Sequence, residues 1–154
     1  MNLKSLGLGV AGVAFALMPA VQAFAADDLV QVQSPHSVSD TMDRLVQAVE
    51  AAGAKVFARV DHAKGGASVG MDIPDNELLI FGNPRLGTPV IRDAQSAGLD
   101  LPIRVVVVET ADGTALIYRS PAAMAAQHGL PADHPSIVLI NGALDKLTAK
   151  AAGQ

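Results

Sequence analysis

Alternation between hydrophobic and polar residues predicts most of the strands in this chain. Residues 29–33 and 55–61 alternate with the period of two that a half-buried strand requires. Residues 78–81 are continuously apolar between turn sequences, which predicts a strand buried on both faces. Residues 103–110 are rich in β-branched side chains, and the turn sequence after them joins them to residues 115–119 as a β-hairpin.

Apolar residues at helical spacing predict the first helix. Leu45 and Val49 lie on one apolar stripe of this helix, which Ser37 or Ser39 can cap and Gly53 can end. A serine side chain accepts a hydrogen bond from an amide of the first turn, and glycine adopts the left-handed conformation that ends many helices.

Proline and glycine mark the other boundaries. A second helix is predicted to begin at Thr88-Pro89, because proline tolerates the first helical position, and to end at Gly98. Residues 63–70 are small and rich in glycine, which predicts a loop. Two more helices follow the hairpin, so the predicted order is β-α-β-β-α-β-β-α-α. Hairpins mixed with helices indicate an α+β fold, a mostly antiparallel sheet covered by helices.

The N-terminal segment has the arrangement of a secretory signal peptide. Lys4 provides a short positive region, residues 6–20 are apolar, and Ala23-Phe24-Ala25 forms an A-x-A cleavage pattern. We therefore predict a signal peptide over residues 1–25, a single domain over residues 26–154 and a periplasmic location. A second apolar run long enough to span a membrane is not found, so no membrane span is expected in the mature chain.

Composition narrows the function classes. The net charge is −4 and only 3% of the residues are aromatic, which disfavours nucleic-acid binding because phosphates are repelled and bases have few stacking partners. The chain has no cysteine, which excludes disulfides, thiol nucleophiles and thiolate metal sites. Half of the residues are hydrophobic, enough for one core built from aliphatic side chains.

Four short motifs together resemble one known family. In chain order they are Thr41-Met42-Asp43-Arg44-Leu45, Val60-Asp61-His62, Ile80-Phe81-Gly82-Asn83-Pro84 running into Gly87-Thr88-Pro89, and Asp100-Leu101-Pro102. In this order and spacing they resemble the domain-of-unknown-function 302 family, from about residue 34 to the C-terminus. The resemblance implies a small α+β sandwich that pairs as a homodimer, and it implies no established activity. Val106 to Val108 are aliphatic here, where the family pattern leads us to expect an aromatic residue.

Two segments contain candidate site residues. His62 follows a predicted strand and precedes glycines, so it could act as a general base, with Asp61 orienting its ring if the backbone turns between them. A structural loop histidine is the alternative. In the second segment, Phe81, Asn83, Arg85 and Thr88 form a candidate ligand site, and the guanidinium and helix start could bind an anion. Simple turn and cap chemistry is the alternative there.

The sequence gives little support for a metal or cofactor site. The four histidines are dispersed: His36, His62, His128 and His134. His62 and Met71 together make only a weak candidate for a metal site. The glycine-rich segment lacks the lysine of a P-loop, and the sequence contains no nucleophile elbow, so no cofactor is predicted and enzymatic activity stays uncertain.

The leading hypothesis is a homodimeric periplasmic domain that binds a small ligand, such as an anion or metabolite, or a partner. Its site is expected where the His62 loop and the Phe81–Pro89 loop converge in one recess. One alternative is a cofactor-free enzyme with His62 as general base and an Arg85/Thr88 anion site. The other is a structural dimerisation domain.

Overall fold

A computed structural model describes residues 28–154 as a five-stranded antiparallel sheet with helices packed on it. In chain order the strands are β1 Leu29–Ser34, β2 Lys55–Asp61, β3 Asn76–Gly82, β4 Ile103–Thr110 and β5 Gly113–Arg119. Their spatial order is β1-β5-β4-β3-β2, so the β4–β5 hairpin lies at the centre. The predicted α+β class is confirmed.

Five helices connect or follow the strands. They are α1 Val38–Ala51, α2 His62–Ala67, α3 Pro84–Asp93, α4 Pro121–Gln127 and α5 Pro135–Ala151, with a 3-10 turn at Gln95–Leu99. Ser37 caps α1 by accepting from the amide of Asp40 at 3.1 Å, and Gly53 follows α1 with a φ of 73°. Both predicted boundaries of the first helix are thus confirmed.

One face of the sheet and two long helices enclose the core. Helix α1 packs against β2, β3 and β4, and α5 packs against α1, α3 and β1. A row of paired residues crosses the sheet on this face from β3 to β5: Leu79, Val105 and Tyr118, all buried. Leu45 of α1 and Leu144 of α5 belong to the same core cluster.

The opposite face of the sheet also carries an apolar row. Val60, Leu78, Val106 and Ile117 are paired side by side across four strands. Leu78, Val106 and Ile117 are half-buried, and Val60 is exposed. The prediction that residues 78–81 are buried on both faces is therefore wrong, because the core helices pack on the other side of β3.

Three local predictions were also wrong. Residues predicted as a loop form α2, because the carboxylate of Asp61 caps it by accepting from the amide of Lys64 at 2.8 Å. Helix α3 begins at Pro84 rather than at Thr88-Pro89, because Asn83 caps it by accepting from the amide of Arg85 at 2.9 Å. It ends at Asp93, before Gly98, where the chain turns into the 3-10 segment.

The predicted signal peptide, residues 1–25, lies outside the described residues. Within residues 28–154, none of the helices has the length and apolar character needed to cross a membrane.

Candidate functional site: an apolar recess beside helix α3

A recess of about 290 Å³ opens at the end of the sheet where β3 ends and β4 begins. Helix α3 forms one wall, and α5 forms the facing wall with Ile140, Ala143, Leu144 and Leu147. The segment that enters β4 closes a third side with Leu101, Pro102 and Ile103. The recess thus lies between elements that are distant along the chain.

The chain enters α3 through a sequence that leaves this space open. Gly82 and Gly87 both border the recess. A Cβ at Gly82 would lie 3.4 Å from the side chain of Pro102, and one at Gly87 would lie 3.8 Å from Leu101 Cδ1. Larger side chains at these two positions would therefore project toward the recess walls or into the recess.

The lining is almost wholly apolar. Asn83 and Thr88 carry the polar side chains among the described residues that line the recess, and none of the lining residues is ionisable. Phe81 lies at the inner end, 3% exposed, and Phe57 lies at the rim, 50% exposed. The ammonium of Lys55 lies 5.3 Å from the centre of the Phe57 ring, outside the lining.

The structure brings three of the four predicted ligand-binding residues together. Phe81, Asn83 and Thr88 border the recess, whereas Arg85 is exposed on α3 and does not. The cap formed by Asn83 already occupies the amide of Arg85, so the helix start is not an open amide cluster at that position. Thr88 lies inside α3 and does not cap it.

The predicted convergence of the two motif loops does not occur within one chain. In the antiparallel pair of β2 and β3, Lys55 is opposite Gly82 and Asp61 is opposite Glu77. His62 therefore lies beyond the other end of these strands, about 20 Å from the recess at the usual rise per residue. Asp61 and His62 cannot act on a molecule bound between α3 and α5 of the same chain.

In the segment around His62, the glycine at position 66 has a structural explanation. His62 begins α2 and is exposed, and the carboxylate of Asp61 is used in the cap. A Cβ at Gly66 would lie only 2.5 Å from the carbonyl oxygen of Met71, so the close approach is to the chain itself. Met71 is 66% exposed, and the described residues contain no group of three or more His, Cys, Asp or Glu placed to hold a metal ion.

A second cluster joins Ser96, His128 and Asp100, a combination that the sequence motifs did not predict. Ser96 Oγ lies 2.9 Å from Nδ1 of His128, and Nε2 of His128 lies 2.7 Å from a carboxylate oxygen of Asp100. These are the residue types of a nucleophilic relay, but Asp100 is also paired with Arg104 at 2.9 Å, and none of the four residues borders the recess. We interpret the cluster as a clasp between the 3-10 turn and the end of α4.

A second histidine contact ties the end of α3 to the start of α5. Nε2 of His134 lies 3.2 Å from Asp93 at the end of α3, while its Nδ1 accepts from the amide of Ser136 and caps α5. The hydrogen bond from Arg92, and to a smaller extent the one from His134, lowers the pKa of Asp93 to about 2. The partners in these histidine contacts are 28 to 41 positions apart in the sequence, and no local sequence pattern predicts such contacts.

The other charged cluster on the helix-covered side is centred on Arg59. Its guanidinium donates to Glu77 on the neighbouring strand and, at 2.5 Å, to Asp43 on α1. The hydrogen bond to Glu77 is the main cause of the raised pKa of Arg59. Because Arg59 is in register with Leu79, these charges close the edge of the core beside β2.

Fold and site together define a small α+β sandwich with an apolar recess between two helices and the sheet end. The family model described as "Domain of unknown function DUF302" matches residues 30–150. The chain belongs to this family, which confirms the resemblance seen in the sequence motifs. A crystal structure of an uncharacterised conserved DUF302 protein from Bacillus stearothermophilus has the same fold, with a TM-score of 0.74 and 19% identity. The match covers 82% of this chain and 99% of that one.

Curated relatives match at higher identity but are longer. A protein named fluoride-specific ion channel FluC 1 from Brucella suis biovar 1 (strain 1330) is 40% identical over 128 residues, covering 81% of this chain and 50% of that protein. The protein of the same name from Brucella abortus biovar 1 (strain 9-941) is also 40% identical over 128 residues, with 81% and 47% covered. This chain spans about half the length of the curated relatives it matches.

Proposed function

We propose that this chain is a small-ligand-binding domain and that its site is the apolar recess beside α3. The observation that carries the proposal is the recess itself: about 290 Å³ of space lined by apolar side chains, with two polar groups beside it. Ligand sites in proteins usually combine a mostly apolar lining with a few placed polar groups. Asn83 and Thr88 belong to the motif on which the family resemblance rests.

Naphthalene is a suitable first probe, because it is rigid, apolar and small. We expect it to shift the backbone amide resonances of α3 and of residues 101–103 in a nitrogen–proton correlation spectrum, in a saturable manner. Ala143→Leu should abolish these shifts, since the added atoms extend from the α5 wall into the recess. The protein should stay folded, because Ala143 is half-buried beside open space.

Gly142→Ala is the matched control on the same helix. A Cβ at Gly142 meets nothing within 4 Å, and this residue does not line the recess, so naphthalene binding should be retained. If naphthalene shifts no resonance of the unmodified protein, or if Ala143→Leu binds it equally well, the recess is not a ligand site.

The domain is further proposed to act as a homodimer through the open face of its sheet. The row formed by Val60, Leu78, Val106 and Ile117 is a continuous apolar band across four strands. The segment after α2 adds more exposed apolar side chains near β3, among them Ile73 at 45% exposure. A second copy would cover this band, and apolar bands of this kind mark interaction surfaces.

Val106→Lys tests the dimer, since it places a charge at the centre of the band. We expect sedimentation equilibrium to give a dimer for the unmodified protein at micromolar concentration and a monomer for the variant, with an unchanged far-UV spectrum. Gln31→Lys is the control, because Gln31 is opposite Ile117 at the edge of the same row and is exposed. A monomeric unmodified protein, or a dimeric Val106→Lys variant, would contradict the proposal.

Export to the periplasm is proposed on the N-terminal sequence pattern alone.

The fluoride-specific names belong to proteins about twice as long as this chain, and the lining offers no cationic side chain for an anion. Fluoride is therefore included as a ligand that we expect not to shift the recess resonances. The enzyme alternative has less support, because His62 and the Arg85/Thr88 pair lie at opposite ends of the antiparallel pair of β2 and β3.

A further inference from the structure

We infer that the ligand of the recess is an uncharged apolar molecule, up to about two fused rings in size, that carries one hydrogen-bond acceptor. This inference rests on the proposed function and defines the chemical class of its ligand. Three properties of the recess lead to it: its volume, the lack of ionisable groups in its lining, and the chemistry of the two polar side chains beside it.

The volume sets the size of the ligand. A protein cavity of roughly 150 Å³ with an apolar lining can bind benzene. The recess has about 290 Å³, close to twice that volume, and its mouth is open beside Phe57. A two-ring aromatic or a branched hydrocarbon of similar size would fill it, whereas a nucleotide or a disaccharide would be too large to enter whole.

The lining sets the charge. Placing a carboxylate or an ammonium group among side chains such as Ile91, Leu101 and Leu144 would remove its hydration with no opposite charge in the lining to replace it. Arg85 and Lys55 are exposed and lie outside the lining. A charged ligand would therefore lose much of the affinity that an uncharged molecule of the same shape gains.

The two polar side chains set the hydrogen-bonding group. Asn83 Oδ1 already accepts from the amide of Arg85, and the side-chain NH₂ of Asn83 can donate to a ligand. The Thr88 hydroxyl can donate or accept. Both residues can therefore donate to a ligand oxygen such as a ketone or ether, and this shared ability favours an acceptor.

Three naphthalene derivatives of nearly the same shape separate these properties. 2-Isopropylnaphthalene is purely apolar, 2-acetylnaphthalene adds a carbonyl oxygen, and 2-naphthoate adds a negative charge. Affinities can be measured on the full domain by the same amide shifts. We expect the acetyl compound to bind about fivefold more tightly than the isopropyl compound, as one hydrogen bond contributes. Naphthoate should bind about a hundredfold more weakly than the acetyl compound.

Two substitutions then test the hydrogen-bonding residues. Thr88→Val removes the hydroxyl and keeps the shape, and Asn83→Asp keeps the helix cap but replaces the donor. Each should lower the preference for the acetyl over the isopropyl compound, and the double variant should reduce the ratio to about one. Thr88→Ser should keep the preference for the acetyl compound that Thr88→Val loses, since serine retains the hydroxyl.

The outcomes separate this inference from the proposed function. Equal binding of the acetyl and isopropyl compounds, or a preference that Thr88→Val and Asn83→Asp leave unchanged, would overturn the inferred acceptor. Naphthoate binding as tight as that of the acetyl compound would overturn the inferred lack of charge. In both cases naphthalene would still bind and the proposed site would stand, whereas failure of naphthalene to bind would overturn the site and this inference with it.

Discussion

Leu79→Ala is expected to lower the free energy of unfolding by about 2–5 kcal/mol, the range for a leucine truncated inside a close-packed core. Leu79 is fully buried on β3 and lies between Arg59 and Val105 in register, on the face that α1 covers. Removing its branched end leaves a cavity that a sheet and a helix can close only partly. Urea unfolding followed by far-UV circular dichroism measures the loss.

Leu78→Ala is the matched control, one residue earlier on the same strand. Leu78 faces the other side of the sheet and is half-buried, so its truncation should cost clearly less. Both variants are best compared at low protein concentration, where dimer formation would not add to the cost. Equal losses for the two variants would mean that both faces of β3 are covered within one chain.

That comparison also marks the limit of the hydrophobic pattern as a predictor. Residues 78–81 have no alternation, and a continuously apolar strand is typical of burial on both faces. The structure gives the run two different environments, a core face with Leu79 and Phe81 and an open face with Leu78 and Ile80. The sequence alone could not distinguish burial by a helix from a surface that remains open in the single chain.

Caps and glycines predicted where a helix begins and ends when the local sequence offered no conflicting alternative. Ser37 and Gly53 delimit α1 as predicted, because the two candidate caps, Ser37 and Ser39, place the start of the helix within two residues of each other. At α3, Asn83-Pro84 and Thr88-Pro89 are both valid helix starts, and the structure uses the first. In α2 the glycines predicted a loop, but the Asp61 cap is sufficient to begin a short helix there.

The candidate site was predicted in part. The motif residues Phe81, Asn83 and Thr88 do border a recess, but its other wall comes from α5, more than fifty residues later, and only the tertiary structure brings the two together. The expected convergence with His62 conflicts with the predicted topology itself. When two consecutive strands are antiparallel, the residues that follow each of them lie at opposite ends.

Thr41→Val is expected to cost about 1–3 kcal/mol of unfolding free energy, although it changes the side-chain volume little. Thr41 is fully buried on α1, and its hydroxyl lies 2.7 Å from the hydroxyl of Ser34, which is 8% exposed at the end of β1. The substitution leaves the buried hydroxyl of Ser34 without this partner, and that group has lost its hydration in the folded protein. The amide of His36, 3.3 Å away, also donates to Ser34 Oγ but cannot accept its proton.

A double-mutant cycle with Ser34→Ala isolates this pair, because each single substitution strands one hydroxyl whereas the double variant removes both. We therefore expect the loss in the double variant to be smaller than the sum of the two single losses by about 1 kcal/mol. Additive losses would mean that the two hydroxyls do not depend on each other. The cost would then come from packing alone, and the link between the end of β1 and the start of α1 would owe its stability to the neighbouring core instead.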